Sequence, residues 1–234
     1  MNKTIVVTGG TKGIGKSIIE HFAAQKFDIV TCSRDSEELR KLQKEIEAQH
    51  PQVKLTYFRA DLSIKSNVAD FVDFIKGHGS SIDILVNNAG IFVPGQIHQE
   101  DEGILEKIME SNLYSAYYLT RGLIGLIKGK KGHIFNICST ASITAYSNGG
   151  SYCISKFALL GFSKVLREEM KEFGVRVTSI LPGATYTASW EGAGIPEERF
   201  MKAEDVAKII LATYLLSDNA VVEEILLRPL LGDI

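Results

Sequence analysis

The sequence predicts an α/β fold: a doubly wound, seven-stranded parallel sheet with helices on both faces, forming a single domain over 1–234. Three observations lead there. Short apolar, β-branched runs alternate with amphipathic stretches along the whole chain. Several of those runs are apolar almost without interruption, which suits strands buried on both faces. No Pro/Gly-rich linker, repeat or charged tail divides the 234 residues, a length that one α/β domain commonly fills.

The first strand is expected at 4–8, where Thr-Ile-Val-Val-Thr runs into a glycine turn, and a helical pattern follows over 13–25. The second strand, 28–33, leads to a helix at 35–49, and the third, 53–59, to one at 66–77. The fourth strand, 83–87, ends in Asn87-Asn88 and precedes a long helical pattern over 101–128. The fifth strand, 133–138, ends at Cys138 before Ser139, and a helix follows at 151–173. The sixth strand, 175–181, runs into Pro182-Gly183, and a helix at 203–216 separates it from the seventh, 223–227. The stretch 183–202 breaks this rhythm. It is rich in Gly, Ala and Glu and long for a connection of its kind, so a mobile flap over a site is expected there.

Charge and composition exclude several function classes. With 26 basic and 28 acidic residues the net charge is −2, which gives no basic footprint for nucleic acid or anionic lipid. No apolar run approaches the ~20 residues of a membrane span. Cys32, Cys138 and Cys153 lack disulfide or metal spacing, and so do the five histidines. No metal, nucleic-acid or membrane partner is therefore expected, and the cysteine usage and the absence of a signal-peptide pattern suggest a reducing cytoplasm.

The chemistry begins at Thr8-Gly9-Gly10-Thr11-Lys12-Gly13-Ile14-Gly15. A sharp turn from strand to helix needs residues without Cβ, and bare amides at a helix N-terminus attract an anion. A glycine-rich turn can be no more than a chain reversal. Its place after the first strand points instead to a dinucleotide pyrophosphate and a Rossmann fold.

The spacing is T-G-x-x-x-G-x-G, and with it the chain resembles the short-chain dehydrogenase/reductase family. Asn87-Asn88-Ala89-Gly90, Tyr152-Cys153-Ile154-Ser155-Lys156 and Pro182-Gly183 match further signatures of that family in order. The resemblance implies that Gly9, Thr11, Gly13, Ile14 and Gly15 face the pyrophosphate. It likewise implies that Asp61, with Leu62, contacts adenine, and that Asn88, Ala89 and Gly90 line the adenosine side. Pro182, Gly183, Thr185 and Thr187 would then flank the nicotinamide, and Lys156 would bond its ribose.

An NAD-binding domain carries an acid roughly 20 positions after the glycines. Here Ser33 holds that place and Arg34 follows it, with Lys12 inside the glycine turn. Serine and cations accept a 2′-phosphate where an acid would repel it, so NADP(H) is the expected cofactor. The alternative is a pair of solvated cations, and Asp35 adds a negative charge beside them.

Tyr152 and Lys156 lie four apart on a predicted helix and project from one face. A free tyrosine, with a pKa near ~10, holds its proton tightly at neutral pH, and a neighbouring ammonium stabilises the phenolate. Ser139 precedes Tyr152 by thirteen residues, at a strand end where ligands of parallel sheets bind. The resemblance assigns Ser139 a bond to the substrate carbonyl. It gives Asn112 a water linking Lys156 to solvent, although a polar helix residue can also be merely solvated. Cys138 and Cys153 read as packing residues. The expected reaction is hydride transfer from NADPH to a small-molecule ketone, with Tyr152 as proton donor.

For the substrate, Trp190 could pack a flat ring or anchor the flap. The 31–34 and 184–190 segments and the C-terminal tail resemble bacterial sepiapterin reductases, which makes a pterin side-chain ketone the leading candidate. Asp233 would accept the two parallel donors of the pterin edge, although a terminal residue can also fray. A 3-oxoacyl thioester or diketone reductase, or a non-catalytic NADP(H) sensor, are the alternatives. Apolar residues on several faces of the 101–128 and 151–173 helices, together with the resemblance, imply a homodimer or homotetramer.

Overall fold

A computed structural model describes residues 2–79, 81–187, 190 and 194–233. The strands are β1 Thr4–Thr8, β2 Asp28–Ser33, β3 Leu55–Arg59, β4 Ile84–Asn87, β5 His133–Ile137, β6 Arg176–Pro182 and β7 Glu224–Leu227. They form one sheet in the order β3-β2-β1-β4-β5-β6-β7, and every pair is parallel.

Strand alternation explains why the apolar runs look continuous. Ile5 and Val7 point into one core and Val6 into the other, so a strand covered on both sides needs apolar residues at every position. The first core takes Ile18, Ile19 and Phe22 of helix α1 (Gly13–Ala24) and Val206 and Ile210 of α7 (Ala203–Tyr214). The second takes Phe71 and Ile75 of α3 (Lys65–Gly77), Leu119 and Leu123 of α5 (Ser115–Lys128), and Leu166 of α6 (Gly150–Met170). Helix α2 (Ser36–Gln49) adds Leu42 and Ile46 to the first.

Two sequence expectations are corrected. The predicted 101–128 helix is three pieces: α4 (Ile104–Met109), a π-helical turn over Glu110–Tyr114, and α5. Asn112 lies in that turn with its side chain bonded across to a neighbouring loop, a demand that periodicity does not reveal. Asp35 precedes α2 instead of lying in it. Its Oδ1 accepts the N–H groups of Glu37 and Glu38, at 2.8 and 3.2 Å, as an N-cap. The 184–201 excursion closes at its base on a bridge between Thr185 and Met201.

The order of β1 to β4 fixes the site. The chain leaves β1 towards β2 on one side, and β4 flanks β1 on the other. The crevice between the two loops at their carboxyl ends is where an open α/β sheet takes a ligand. Glycines bring those loops together: a Cβ on Gly15 would stand 2.3 Å from the Gly9 carbonyl oxygen and 2.6 Å from Asn88 Nδ2. Backbone must move to admit it, so Gly15→Ala is expected to cost about 1–3 kcal/mol. Urea denaturation checks this; a wild-type midpoint would contradict it.

Candidate active site

A cavity of about 830 Å³ opens at the carboxyl ends of the central strands. Its floor is the glycine turn: Gly9, Thr11, Lys12, Gly13 and Ile14 line it, and Gly9 and Gly13 take positive φ of 67° and 51°. Helix α1 begins there with no side-chain cap and no acid in its first turn, so its leading N–H groups are left for a ligand. Gly15 is set back from the wall, and its part is the close packing just described.

The loop after β4 is clasped to the turn. The Thr8 hydroxyl accepts the backbone N–H groups of Asn88 and Ala89, both at 2.9 Å, and Asn88 Nδ2 donates to the Thr8 and Gly9 carbonyls at 2.8 and 3.2 Å. The Asn88 amide thus holds two loops in place, while Asn88, Ala89 and Gly90 form the adjoining wall.

At one end stand Ser33, Arg34, Asp61, Leu62 and Ser63. Thr11 Oγ1 donates to Ser33 Oγ at 3.3 Å. Arg34 is exposed at the rim, and its carbonyl accepts from Arg59 Nε at 3.0 Å. Asp35, the negative charge next to it, is spent on the N-terminus of α2. Lys12 Nζ pairs with Glu38 Oε1 at 2.6 Å, a partner that the sequence did not suggest. Asp61 Oδ1 accepts both the N–H and the hydroxyl of Ser63, at 3.0 and 2.8 Å.

Ser139, Tyr152 and Lys156 meet at the opposite end. Ser139 follows β5, its Oγ accepts the Ala141 N–H at 3.1 Å, and its own N–H donates to Ser142 Oγ at 3.2 Å. Ser139 lines the cavity. Lys156, on α6, is buried at 6 % exposure, and its Nζ donates to the Ile137 carbonyl at 2.9 Å. That ammonium lies 5.8 Å from the centre of the Tyr152 ring. Tyr152 and Ser139 face the same space.

Asn112 lies behind this wall, 1 % exposed. Its Oδ1 accepts the Ile91 N–H at 2.7 Å, and Nδ2 donates to the Ile91 carbonyl and to Ser155 Oγ, both at 3.0 Å. Ser155 in turn donates to the Tyr152 carbonyl at 2.7 Å. The whole amide is used as a brace between the loop after β4 and α6.

Pro182, at the end of β6, and Gly183, Thr185 and Thr187 beyond it line the remaining wall. Thr187 Cγ2 lies 2.9 Å from the point a Cβ on Gly13 would occupy, so the base of the excursion covers the glycine turn. Trp190 lines the mouth, with ring centres 6.4 Å from Phe92 and 5.1 Å from Phe200. Residues 188, 189 and 191–193 of the expected flap lie outside the described residues. Asp233 reaches the cavity beside Gly183, where its carboxylate pairs with Arg228.

Sequence reasoning missed Phe92 and Tyr146. Phe92 packs edge-on against Tyr152 at 4.8 Å, and Tyr146 lines the same end with its phenol pushed up by burial. Phe92 comes two residues after Gly90, and that nearness was the available signal. Burial pushes the Cys138 thiol up and the Cys32 thiol up to about 12, as suits packing residues. Among the described residues no group of three or more His, Cys, Asp or Glu side chains could hold a metal ion, and no helix is long and apolar enough to cross a membrane.

Comparison with known proteins gives a family match and many likenesses, of which three follow. Residues 3–197 match the family described as short chain dehydrogenase. The chain is 34% identical to a protein named sepiapterin reductase from Chlorobaculum tepidum, over 100% of this chain and 99% of that one. A solved metagenomic short-chain oxidoreductase in complex with NADP is 29% identical, with a TM-score of 0.83 over 97% of this chain and 96% of that one. The L-sorbose reductase from Gluconobacter frateurii, complexed with NADPH and L-sorbose, is 25% identical, with a TM-score of 0.88 over 97% and 95%.

Proposed function

The chain belongs to the short-chain dehydrogenase family, a family of oxidoreductases acting on alcohol and ketone groups, and we propose that it is an NADPH-dependent carbonyl reductase whose ketone sits on a pterin side chain. The observation that carries the reductase reading is the meeting of Ser139, Tyr152 and Lys156 at one end of a cavity whose floor is a glycine turn. The 34% likeness to the Chlorobaculum tepidum protein supports the pterin, as do an aromatic mouth of Phe92, Tyr146 and Trp190 and a carboxylate at Asp233.

The cavity fits the cofactor. The uncapped start of α1 and the Cβ-free surface of Gly9 and Gly13 suit a pyrophosphate. Ser33 and Arg34, with Asp35 turned away, suit a 2′-phosphate. NADP in the 29%-identical relative supports the same choice. Bound there, NADPH supplies the hydride.

The residues of this chain then divide the remaining work. Ser139, its oxygen already accepting from Ala141, donates its hydroxyl hydrogen to the ketone oxygen. Tyr152 delivers the proton that turns that oxygen into a hydroxyl. Lys156 stabilises the phenolate left behind, and its anchor on the Ile137 carbonyl holds it there. We place the water that returns the proton at the π turn around Asn112. Asp233 would exchange Arg228 for the donor edge of the pterin, and Trp190 and Phe92 would flank the ring.

NADPH oxidation with sepiapterin, a diketone and a 3-oxoacyl thioester tests the reading. Turnover led by sepiapterin is expected; preference for either of the others moves the substrate and leaves the reductase in place. Binding of NADPH without reduction of any ketone would favour a sensor. A homodimer, or a tetramer built from it, is part of the same proposal. Tyr114, Tyr117, Ile154, Phe157 and Val165 lie exposed on or just before α5 and on α6. Sedimentation at a single-chain mass would contradict it.

A further inference from the structure

Helix α6 carries Tyr152 and Lys156 but brings no cap of its own. Its N-cap, Gly149, makes no side-chain bond, and no acid lies in its first turn. The capping group comes from the loop between β4 and α4. Glu100 Oε1 accepts the Ser151 N–H at 2.8 Å, and Oε2 accepts the Ser151 hydroxyl. A carboxylate on the first N–H groups of a helix is favoured by its dipole.

Glycines make room for this contact. A Cβ on Gly150, whose φ is +32°, would stand 2.1 Å from Glu100 Oε1, and one on Gly95 would stand 2.8 Å from Glu100 Cγ. The loop is latched beside it: the Gly95 N–H donates to the Asn148 carbonyl at 2.9 Å, and the Glu100 N–H turns back to the Gln96 carbonyl at 3.0 Å. Ser151 is 2 % exposed, and Glu100, which holds it, is half-buried.

The same loop carries Ile91 and Phe92, and Phe92 packs edge-on against Tyr152. One segment thus grips the ring of Tyr152 at one end and the backbone next to it at the other. We propose that Glu100 is a positioning residue for the reduction, holding the first turn of α6 and the Phe92 loop as one unit that fixes the phenol of Tyr152. The proposal rests on Tyr152 being the proton donor. Without the carboxylate, the first turn of α6 would lose its cap and the phenol its fixed place, and displacements near 1 Å can cost about a hundredfold in rate.

The test uses the full-length protein, NADPH, and sepiapterin with diacetyl in parallel. Glu100→Ala is expected to lower kcat by roughly tenfold to a hundredfold with the NADPH Kd unchanged. Glu100→Gln keeps the length and a carbonyl for the Ser151 N–H, and is expected to restore most of the rate. Should Glu100→Ala not fold, Ser151→Ala removes only the hydroxyl arm and is expected to lower kcat severalfold. Amide exchange needs no ketone: Glu100→Ala, or Ser151→Ala in its place, is expected to speed exchange at 150–154 and at 91–95 together. A wild-type kcat in Glu100→Ala, or exchange that rises at 150–154 alone, overturns the proposal. Tyr152→Phe run alongside separates the two failures: if it stays active, the proton-donor reading falls; if it is inert while Glu100→Ala is fully active, only the role of Glu100 falls.

Discussion

Tyr152→Phe is expected to lower turnover by roughly 10²–10⁴-fold, the usual worth of a positioned proton donor. The change removes one oxygen and leaves a ring that still packs against Phe92. Lys156 keeps its bond to the Ile137 carbonyl, and the glycine turn that forms the cavity floor is untouched. NADPH titrated by fluorescence should therefore bind almost as it does to the wild type. The split between lost rate and retained binding carries the meaning, because general destabilisation would lower both. Full turnover in the variant would remove Tyr152 from the chemistry.

Arg34→Ala is expected to weaken NADPH by about tenfold to a hundredfold and NADH hardly at all, since a hydrogen bond to a charged group contributes about 1.5–3 kcal/mol. The proposal makes Arg34 the principal cation for a 2′-phosphate, and its neighbourhood supports that. Lys12 shares its charge with Glu38, and Asp35 faces the N-terminus of α2. Titration of both dinucleotides checks this, and equal losses for the two would contradict the assignment. The effect should shrink in high salt, because Arg34 is exposed.

The fold was legible because a sheet buried on both faces writes itself as apolar runs. Ile5, Val6 and Val7 are all fully buried though they face opposite cores. The glycine turn was legible because backbone contact forbids side chains, as the 2.3 Å approach at Gly15 shows. The π turn around Asn112 was not legible. It answers to a bond with Ile91, twenty-one residues away, and periodicity reports only a helix's own faces. The Lys12–Glu38 pair and the Glu100 cap were hidden for the same reason: each joins segments whose nearness only the topology decides. Asp233 lines the cavity, and Arg228, which holds it, is a contact that the tail sequence alone did not suggest.

The most direct test of the central claim is the fate of the hydride. Sepiapterin reduced with NADPH deuterated at the transferring carbon should yield a product carrying one deuterium, bound to the former carbonyl carbon, and Tyr152→Phe should yield almost none. NADPH consumed without label entering the product, or tight NADPH binding with no reduction of sepiapterin, diketone or thioester, would contradict carbonyl reduction at this site.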